Sequence, residues 1–381
     1  MPGRTVDIVA AGPPPLDPYD AAASAWALAV ALAARGDDVR VLHLAGSESD
    51  QVPVGVVDVP VEIPLRHPGA PVEPAEFAAV AGRRLRRPVD LVLRDPVGLG
   101  SLGSHRGRRG PLLGAFVRAV ELRAFEGERQ GLASTGFVGR LDTWRDRRAV
   151  RRLERVALDE ADRLFFDAAE VATALSKEYG VSARKMVPLP PAVPSLPSFP
   201  TREASRHDLR IPPDVPVVVA PTAFADPEAS GVDRALEAFR RVRPFFPGAR
   251  LVLTGVPSAS DPGAIAIPDR HAASLASALA SADVALFARR VPGFDPGIVL
   301  AARAGLPSIV LPDARFPVDP AGGVRAAVSD DPGDLASLLA ELLADPAMRR
   351  EIGQAASRFS PAFLPERVAG ALVEAVSPIA A

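Results

Sequence analysis

The stretch that most constrains the fold runs from Ser281 to Leu311, where two short apolar runs flank a loop and a helix-like segment. The runs Val284–Phe287 and Ser308–Leu311 have the length of buried strands, and Gly297–Ala304 between them is apolar at helical density. Two such strands joined through a helix form a parallel β–α–β crossover. The ligand site of such a unit lies beyond the carboxyl ends of its strands, which places it here in the loop Ala288–Gly297. Free N–H groups and the dipole of the following helix suit an anion such as a diphosphate.

The rest of the chain repeats this alternation of strands and helices. Its start reads as the strand Val6–Ala10, a loop, the helix Ala21–Arg35 and the strand Val39–Leu44, which is the opening of a doubly wound α/β domain. A chain of 381 residues is too long for one ordinary core. The proline-dense stretch 188–200 predicts the hinge between two domains. We therefore predict an α/β fold with domains at residues 1–190 and 191–365.

Composition excludes several classes of function. The sequence has no cysteine, which excludes disulfides, thiolate metal sites and thiol nucleophiles. Its five histidines form no closely spaced pair, so no metal site is predicted. A net charge of -2 gives no general reason to bind nucleic acid. The first residues lack the pattern of a secretory signal and no membrane span is predicted, so the expected location is the cytoplasm.

Several positions within the 281–311 stretch carry a family resemblance. Ala282-Asp283, Gly293-Phe294 and Gly305-Leu306-Pro307 resemble, in register, the donor-binding segment of family-4-type glycosyltransferases. That segment typically also carries two glutamates, eight positions apart. Here Pro292 stands at the first glutamate position and Leu300 at the second.

The resemblance extends over most of the chain, and the block Leu153–Pro191 also matches the family pattern. It implies the GT-B architecture, in which two Rossmann-like doubly wound parallel-sheet domains face each other across a cleft. It also implies that a helix within residues 366–381 crosses back to the first domain. Membership would imply a nucleotide-sugar as substrate or ligand, no obligatory metal or other cofactor, and transfer with retention at the anomeric carbon.

The charged groups of the family's donor site are missing from their expected positions. Retaining transfer leaves a diphosphate with additional negative charge, so catalysis needs cations or dense N–H donors there. The resembling enzymes supply an arginine and a lysine, but the corresponding positions here hold Thr222 and Ser230. Each lost charge-assisted bond costs about 1.5–3 kcal/mol. This pattern favours a glycosyltransferase-like protein whose transfer activity is lost or weakened and which binds a sugar, a nucleotide or an active transferase partner.

Replacement groups are present in the same loop. The guanidinium groups of Arg289 and Arg290 are placed to reach a diphosphate, and Asp295 to accept a hydrogen bond from a sugar hydroxyl. The donor-binding candidates are Arg289, Arg290, Gly293, Phe294, Asp295 and Gly297. The alternative interpretation is that both arginines are solvated charges in an arginine-rich chain.

A second group of residues is expected on the acceptor side. The candidates are Asp17, Tyr19, Arg94, Asp95 and His105. In the resembling enzymes a histidine commonly follows the fifth strand, whereas Val117-Arg118 occupy that region here. Two plainer interpretations stay open: Asp20 caps the following helix, and His105 is an exposed loop residue.

Two further functions remain as alternatives to a weakened transferase. One is an active retaining glycosyltransferase that uses Arg289, Arg290 and Asp295. The other is a sugar-nucleotide epimerase of the same architecture. An active glycosyltransferase or a second copy of the chain are the expected protein partners, no nucleic acid is expected, and peripheral contact with a membrane stays open.

Overall fold

The computed structural model describes residues 3–10, 12, 22–45, 52–63, 74–86, 88–95, 100–103, 111–118, 137–196, 198–221, 231–269, 271–289, 294–312, 314, 316 and 318–377. These residues form two compact units. The first contains the described residues up to Ala192 together with those from Pro365 onward, and the second contains Val193–Leu364.

Strands and helices alternate along the chain. The strands are β1 (Thr5–Ala10), β2 (Asp38–Leu44), β3 (Val56–Val61), β4 (Leu91–Asp95), β5 (Leu112–Val117), β6 (Arg163–Phe166), β7 (Met186–Pro188), β8 (Val217–Pro221), β9 (Arg250–Thr254), β10 (Ala264–Ile267), β11 (Val284–Phe287), β12 (Ser308–Val310) and β13 (Val324–Ala326). The helices are α1 (Ala23–Ala34), α2 (Pro74–Arg84), α3 (Phe137–Glu160), α4 (Ala169–Tyr179), α5 (Arg202–Asp208), α6 (Val232–Val242), α7 (Ala272–Ser281), α8 (Pro296–Arg303), α9 (Pro332–Ala344), α10 (Pro346–Phe359) and α11 (Pro365–Val376).

The first unit is built on a parallel sheet of seven strands in the order β3-β2-β1-β4-β5-β6-β7. Val6 of β1 is in register with Val39 of β2 on one side and with Leu91 of β4 on the other. The strand order reverses beside β1, which is the topological switch point of a doubly wound fold. The carboxyl ends of β1 and β4 therefore border the expected ligand-binding edge of this unit.

Helix α11 completes the core of the first unit. It packs on α1, and its residues Val368, Ala369 and Leu372 join the same buried cluster as Trp26 and Leu32 of α1. Because α1 is rich in alanine and leucine, it has apolar surface both for the sheet and for a second helix. The last described helix is therefore part of the first unit's core.

The second unit is a parallel sheet of six strands in the order β10-β9-β8-β11-β12-β13. Helices α7 and α8 contribute to the buried cluster on one face, whereas α6 and α9 contribute to the cluster on the other. All four residues of β11 are buried, as expected for a central strand covered on both faces. Each unit thus has the Rossmann-like doubly wound arrangement that the alternation of strands and helices predicted.

Two edge strands of the second unit differ from the sequence expectation. Strand β10 was not predicted, because its sequence Ala-Ile-Ala-Ile is short and half alanine, a weak strand former. The apolar residues of 326–329 predict a last strand there, but the strand lies at Val324–Ala326, with Ala326 in register with Val310 of β12. Val328, beyond the end of the strand, is 92% exposed.

Candidate functional site

Arg289 and Asp295, on either side of the connection between β11 and α8, lie at the carboxyl edge of the second unit, where the sequence predicted a donor site. Arg289 follows the end of β11, and Asp295 is the N-cap residue of α8. The carboxylate of Asp295 accepts a hydrogen bond from the backbone N–H of Gly297 at 2.9 Å. This is one of the N–H groups that the amino end of the helix would otherwise offer to a bound anion.

Arg289 and Asp295 form a closed ion pair at this edge. The guanidinium Nε of Arg289 lies 2.6 Å from one carboxylate oxygen of Asp295, and its Nη2 donates to the other oxygen. The exposed fractions of the two side chains are 1% and 5%. A buried bidentate pair of this kind holds both groups in place and cancels their charges. The predicted cation and the predicted hydroxyl acceptor are therefore bound to each other.

The candidate Phe294 and the residue at the family's second glutamate position, Leu300, both belong to the apolar core. The ring of Phe294 stacks on Phe363 with a centroid distance of 5.0 Å and contacts Phe316 edge-on at 6.3 Å. Leu300, at the family's second glutamate position, is fully buried in the same cluster. Neither side chain offers a polar group to a ribose or a sugar.

Arg234 is a cation at this edge that the sequence analysis did not single out. It lies in the first turn of α6, and its guanidinium donates to the carbonyl oxygen of Ala288, directly after β11. Gly231, the N-cap residue of α6, has φ +72°, and a Cβ there would lie 2.4 Å from the same carbonyl oxygen. This close approach holds the start of α6 against the end of β11. The sequence spacing could have indicated Arg234, because this residue comes four positions after Ser230, which stands at the family's lysine position.

Four side chains meet at the carboxyl edge of the first unit. Arg118, directly after β5, donates to both carboxylate oxygens of Asp95 at 3.0 and 2.6 Å and to the hydroxyl of Ser24 at 2.8 Å. The carboxylate of Asp167, after β6, lies 4.0 Å from the same guanidinium. Burial disfavours the charge of Arg118, but Asp95 and Asp167 outweigh this effect and raise its pKa above the ordinary value. Asp95 was predicted, whereas its partners were not, although each follows a strand or opens a helix at the same edge.

Arg94 does not join this group. It precedes Asp95 in β4, and successive strand residues point to opposite faces of a sheet. Its guanidinium donates to the carbonyl oxygen of Gly100 at 2.9 Å, and its side chain is buried. Burial lowers the pKa of Arg94 to about 10, an effect that Glu160 partly opposes. The two neighbouring acceptor-side candidates thus have separate surroundings.

The remaining sequence candidates lie outside the described residues: Asp17, Tyr19, His105, Thr222, Ser230, Arg290, Pro292 and Gly293. Within the described part of the chain, no group of three or more His, Asp or Glu side chains is arranged to hold a metal ion. No helix among the described residues combines the length and apolar character needed to cross a membrane.

Solved structures share this fold over nearly the whole chain. Sucrose-phosphate synthase from Thermosynechococcus elongatus is similar with a TM-score of 0.72 and 16% identity, covering 97% of this chain and 98% of that one. WaaG, a glycosyltransferase involved in lipopolysaccharide biosynthesis, is similar with a TM-score of 0.72 and 18% identity, covering 96% of this chain and 99% of that one. HepE from Anabaena, solved with UDP and glucose, is similar with a TM-score of 0.69 and 13% identity, covering 99% of this chain and 100% of that one. With the two parallel sheets, these similarities show that the chain has the GT-B glycosyltransferase fold, as predicted.

The family resemblance is also confirmed in the first half of the chain. Residues 21–195 match the model of Glycosyltransferase Family 4. The family-4 match therefore covers these residues, and the GT-B fold covers nearly the whole chain. A search of curated proteins finds no match.

Proposed function

We propose that this chain is a glycosyltransferase-like protein of the family-4 type in which sugar transfer is lost or weakened, and that it binds a sugar, a nucleotide or an active transferase partner. The closed Arg289–Asp295 pair is the observation that carries this proposal. The protein's own carboxylate occupies the amino end of α8 and neutralises the arginine best placed to meet a diphosphate.

The balance of charge supports weak binding of a donor diphosphate. Among the described residues at this edge, Arg234 and Arg289 supply two positive charges, and Asp233 and Asp295 supply two negative charges. A net charge near zero does little to stabilise the growing negative charge of a departing nucleoside diphosphate. Catalysis at such a site depends on pre-arranged positive groups that are not already engaged. The apolar side chain of Leu300, at the second glutamate position, adds no acceptor for a ribose hydroxyl.

An active retaining glycosyltransferase is the second candidate, and Arg234 is the observation that favours it. Its guanidinium reaches the end of β11 from the first turn of α6. In this alternative, Arg234 takes the part of the family's missing lysine and the Arg289–Asp295 pair opens when a donor binds. The substrate would be a nucleotide-sugar, with no metal required.

The two candidates are separated by incubating the purified full-length chain with a panel of UDP-, GDP- and ADP-sugars. Release of the free nucleotide and thermal stabilisation are measured together. The proposal predicts saturable stabilisation by at least one nucleotide or nucleotide-sugar, with turnover far below the value of about 1 s⁻¹ at the low end of ordinary enzymes. Turnover at or above that value, abolished in Arg234→Ala, would establish the active transferase instead.

The form of the proposal in which the chain serves another transferase has a separate test. A tagged chain is recovered from its native host under mild conditions, and the co-purifying proteins are assayed for sugar transfer. A stoichiometric transferase whose activity rises when the chain is added supports this form. Recovery of the chain alone, with no effect on any transferase, contradicts it. The proposal places the protein in the cytoplasm, which cell fractionation checks in the same preparation.

A further inference from the structure

A cavity of about 430 Å³ lies at the amino edge of the second unit's sheet. Its wall includes Asp283, directly before β11, and Pro307, directly before β12. Gly305, just past the end of α8, also lines it. The Arg289–Asp295 pair is at the opposite end of α8, about 12 Å away for eight helical residues at about 1.5 Å each. The cavity is therefore separate from the candidate donor site.

Three arginines and one carboxylate line this cavity. The arginines are Arg202 of α5 and the neighbouring Arg349 and Arg350 of α10, and the carboxylate belongs to Asp283. The carboxylate of Asp283 accepts three hydrogen bonds, from Arg202 at 2.6 Å, from Arg206 at 3.0 Å and from the backbone N–H of Val217 at 2.8 Å. Its negative charge is thus shared between two guanidinium groups.

Positive charge is in excess around the cavity. Burial and the nearby charge of Arg202 lower the pKa of Arg206, although Asp283 acts in the opposite direction. Arg349 donates to the carbonyl oxygens of Leu342 and Leu343 at 2.7 and 2.9 Å. Arg350 is exposed and makes no ion pair with any described residue. One of the three lining arginines is therefore available to a ligand without breaking an existing contact.

Helix dipoles reduce this excess but do not remove it. The carboxyl ends of α7 and α8 and the amino end of α10 all border the cavity. Each helix end carries about half a charge, negative at the carboxyl end and positive at the amino end, so the three together contribute about -0.5. The lining side chains contribute three positive charges and one negative charge. Arg206, which shares Asp283, adds one positive charge, and Asp345, which caps the amino end of α10, adds one negative charge. The cavity thus remains positive by about 1.5 charges, which favours an anion.

The size and the apolar part of the lining narrow the class of ligand. A volume of 430 Å³ exceeds what a bare phosphate needs and lies toward the small end of ordinary ligand pockets. The apolar lining residues Leu279, Leu306 and Pro307 are themselves buried, so a mainly polar ligand such as a sugar phosphate suits the cavity. The described lining holds no aromatic side chain on which a nucleobase would stack.

We propose that this cavity is a second ligand site, which binds a small sugar phosphate with its phosphate on Arg350, beside Arg202. The proposal does not depend on whether the chain transfers sugars. It concerns the opposite edge of the sheet from the donor loop, so a ligand there leaves the carboxyl edge vacant.

Isothermal titration of the full-length chain with glucose 6-phosphate tests this site, with inorganic phosphate and glucose as comparison ligands. We expect saturable binding with a Kd of about 1 mM or tighter. Arg350→Glu should weaken binding by about tenfold or more, since it replaces a charge-assisted hydrogen bond with repulsion. Arg350→Lys should retain most of the affinity. Arg358→Glu is the matched control, because Arg358 is also exposed on α10 but does not line the cavity.

Amide NMR shifts of the wild-type chain locate the bound ligand. We expect the changes to centre on Leu279–Asp283 and Ala304–Leu306. Absence of saturable binding, or equal weakening by Arg350→Glu and Arg358→Glu, would overturn the site. Equal affinity for inorganic phosphate would overturn its assignment to sugar phosphates. Competition between glucose 6-phosphate and UDP for the same amides would show that the two edges are not separate sites.

Discussion

At the scale of single residues, the chain contains its own control for the Arg289–Asp295 pair. The sequence Asp-Pro-Gly occurs three times, and in two of these, at 295–297 and 331–333, the aspartate caps a helix by accepting from the glycine N–H. Asp295 is buried with its arginine, whereas the side chain of Asp331 is 62% exposed and lies 3.3 Å from Arg241. The two sites therefore share the same cap and differ in the burial of the ion pair.

Asp295→Asn should lower the free energy of unfolding by about 3 kcal/mol, because asparagine keeps the cap but leaves the charge of Arg289 buried without a counter-ion. Asp331→Asn should change it by no more than about 0.5 kcal/mol, since the exposed pair contributes little. Urea denaturation of both variants measures the difference. Equal effects would mean that the buried pair adds nothing beyond the helix cap.

The same two variants test what the pair does to an anion. Asp295→Asn removes the internal carboxylate and leaves Arg289 charged, so UDP should raise the unfolding temperature of this variant more than that of the wild-type chain. UDP should affect Asp331→Asn and the wild type equally. If UDP raises the unfolding temperature of Asp295→Asn no more than that of the wild type, the ion pair does not act to exclude a diphosphate.

At the scale of elements, Asp7 of β1 joins three parts of the first unit. Its buried carboxylate accepts from Arg40 of β2 at 2.7 Å and from the backbone N–H of Arg86, after α2, at 2.7 Å. Burial raises the pKa of Asp7, but the hydrogen bonds and the charges of Arg40 and Arg86 outweigh it and hold the pKa below 3.8. The depressed value makes the folded state depend on this carboxylate being ionised.

Asp7→Asn should therefore destabilise the chain by about 3–5 kcal/mol at pH 7, because two arginines lose their shared partner. A depressed folded pKa contributes stability that is present above the unfolded value and lost as the pH falls through the folded value. The difference between wild type and variant should stay constant from pH 7 down to near pH 5 and shrink once the pH falls below 3.8. Denaturant unfolding at pH 7 and pH 3 measures it, and a difference unchanged at pH 3 would contradict the assignment.

Gly353 and Gly180 are required for different reasons: Gly353 because a side chain would clash, and Gly180 because its backbone has a positive φ. A Cβ on Gly353 of α10 would lie 2.1 Å from the carbonyl oxygen of Gly305, whereas Gly180 has φ +64° and open space around it. Gly353→Ala should destabilise by about 2 kcal/mol despite alanine's better helix propensity, because backbone cannot move aside cheaply. Gly180→Ala should cost about 1 kcal/mol. Thermal unfolding compares them, and a stabilised Gly353→Ala would show that α8 and α10 do not pack this closely.

The elements that the sequence predicted well are those whose signal is local. Val284–Phe287 and Ser308–Val310 are short apolar runs with a loop and a Gly-x-Pro turn nearby, and both are strands. The meeting of Arg289 with Asp295 instead joins two residues six positions apart, which no local apolar or turn pattern encodes. The group around Arg118 depends on three strands and α1 coming together, which no single motif encodes. Contacts between side chains at the edge of a sheet therefore could not be predicted from the sequence and are seen only in the structure.

At the scale of the whole molecule, the chain leaves its first unit at Ala192, builds the second, and returns at Pro365. The final helix α11 supplies Leu372 to the core of the first unit beside α1, whereas Leu339 of α9 lies in the core of the second. Both leucines are fully buried on helices. The first unit is therefore complete only when the carboxyl-terminal helix has packed, although most of its residues come first in the chain.

Leu372→Ala and Leu339→Ala should each destabilise by about 2–5 kcal/mol, the usual cost of a cavity left by a buried leucine. Each substitution should increase local unfolding mainly in its own unit, because each unit has its own core and tends to open as a cooperative unit. Hydrogen exchange should accelerate in β1 and β2 for Leu372→Ala and in β8 and β9 for Leu339→Ala. Faster exchange of β8 and β9, with β1 and β2 unaffected, in Leu372→Ala would show that α11 does not stabilise the first unit.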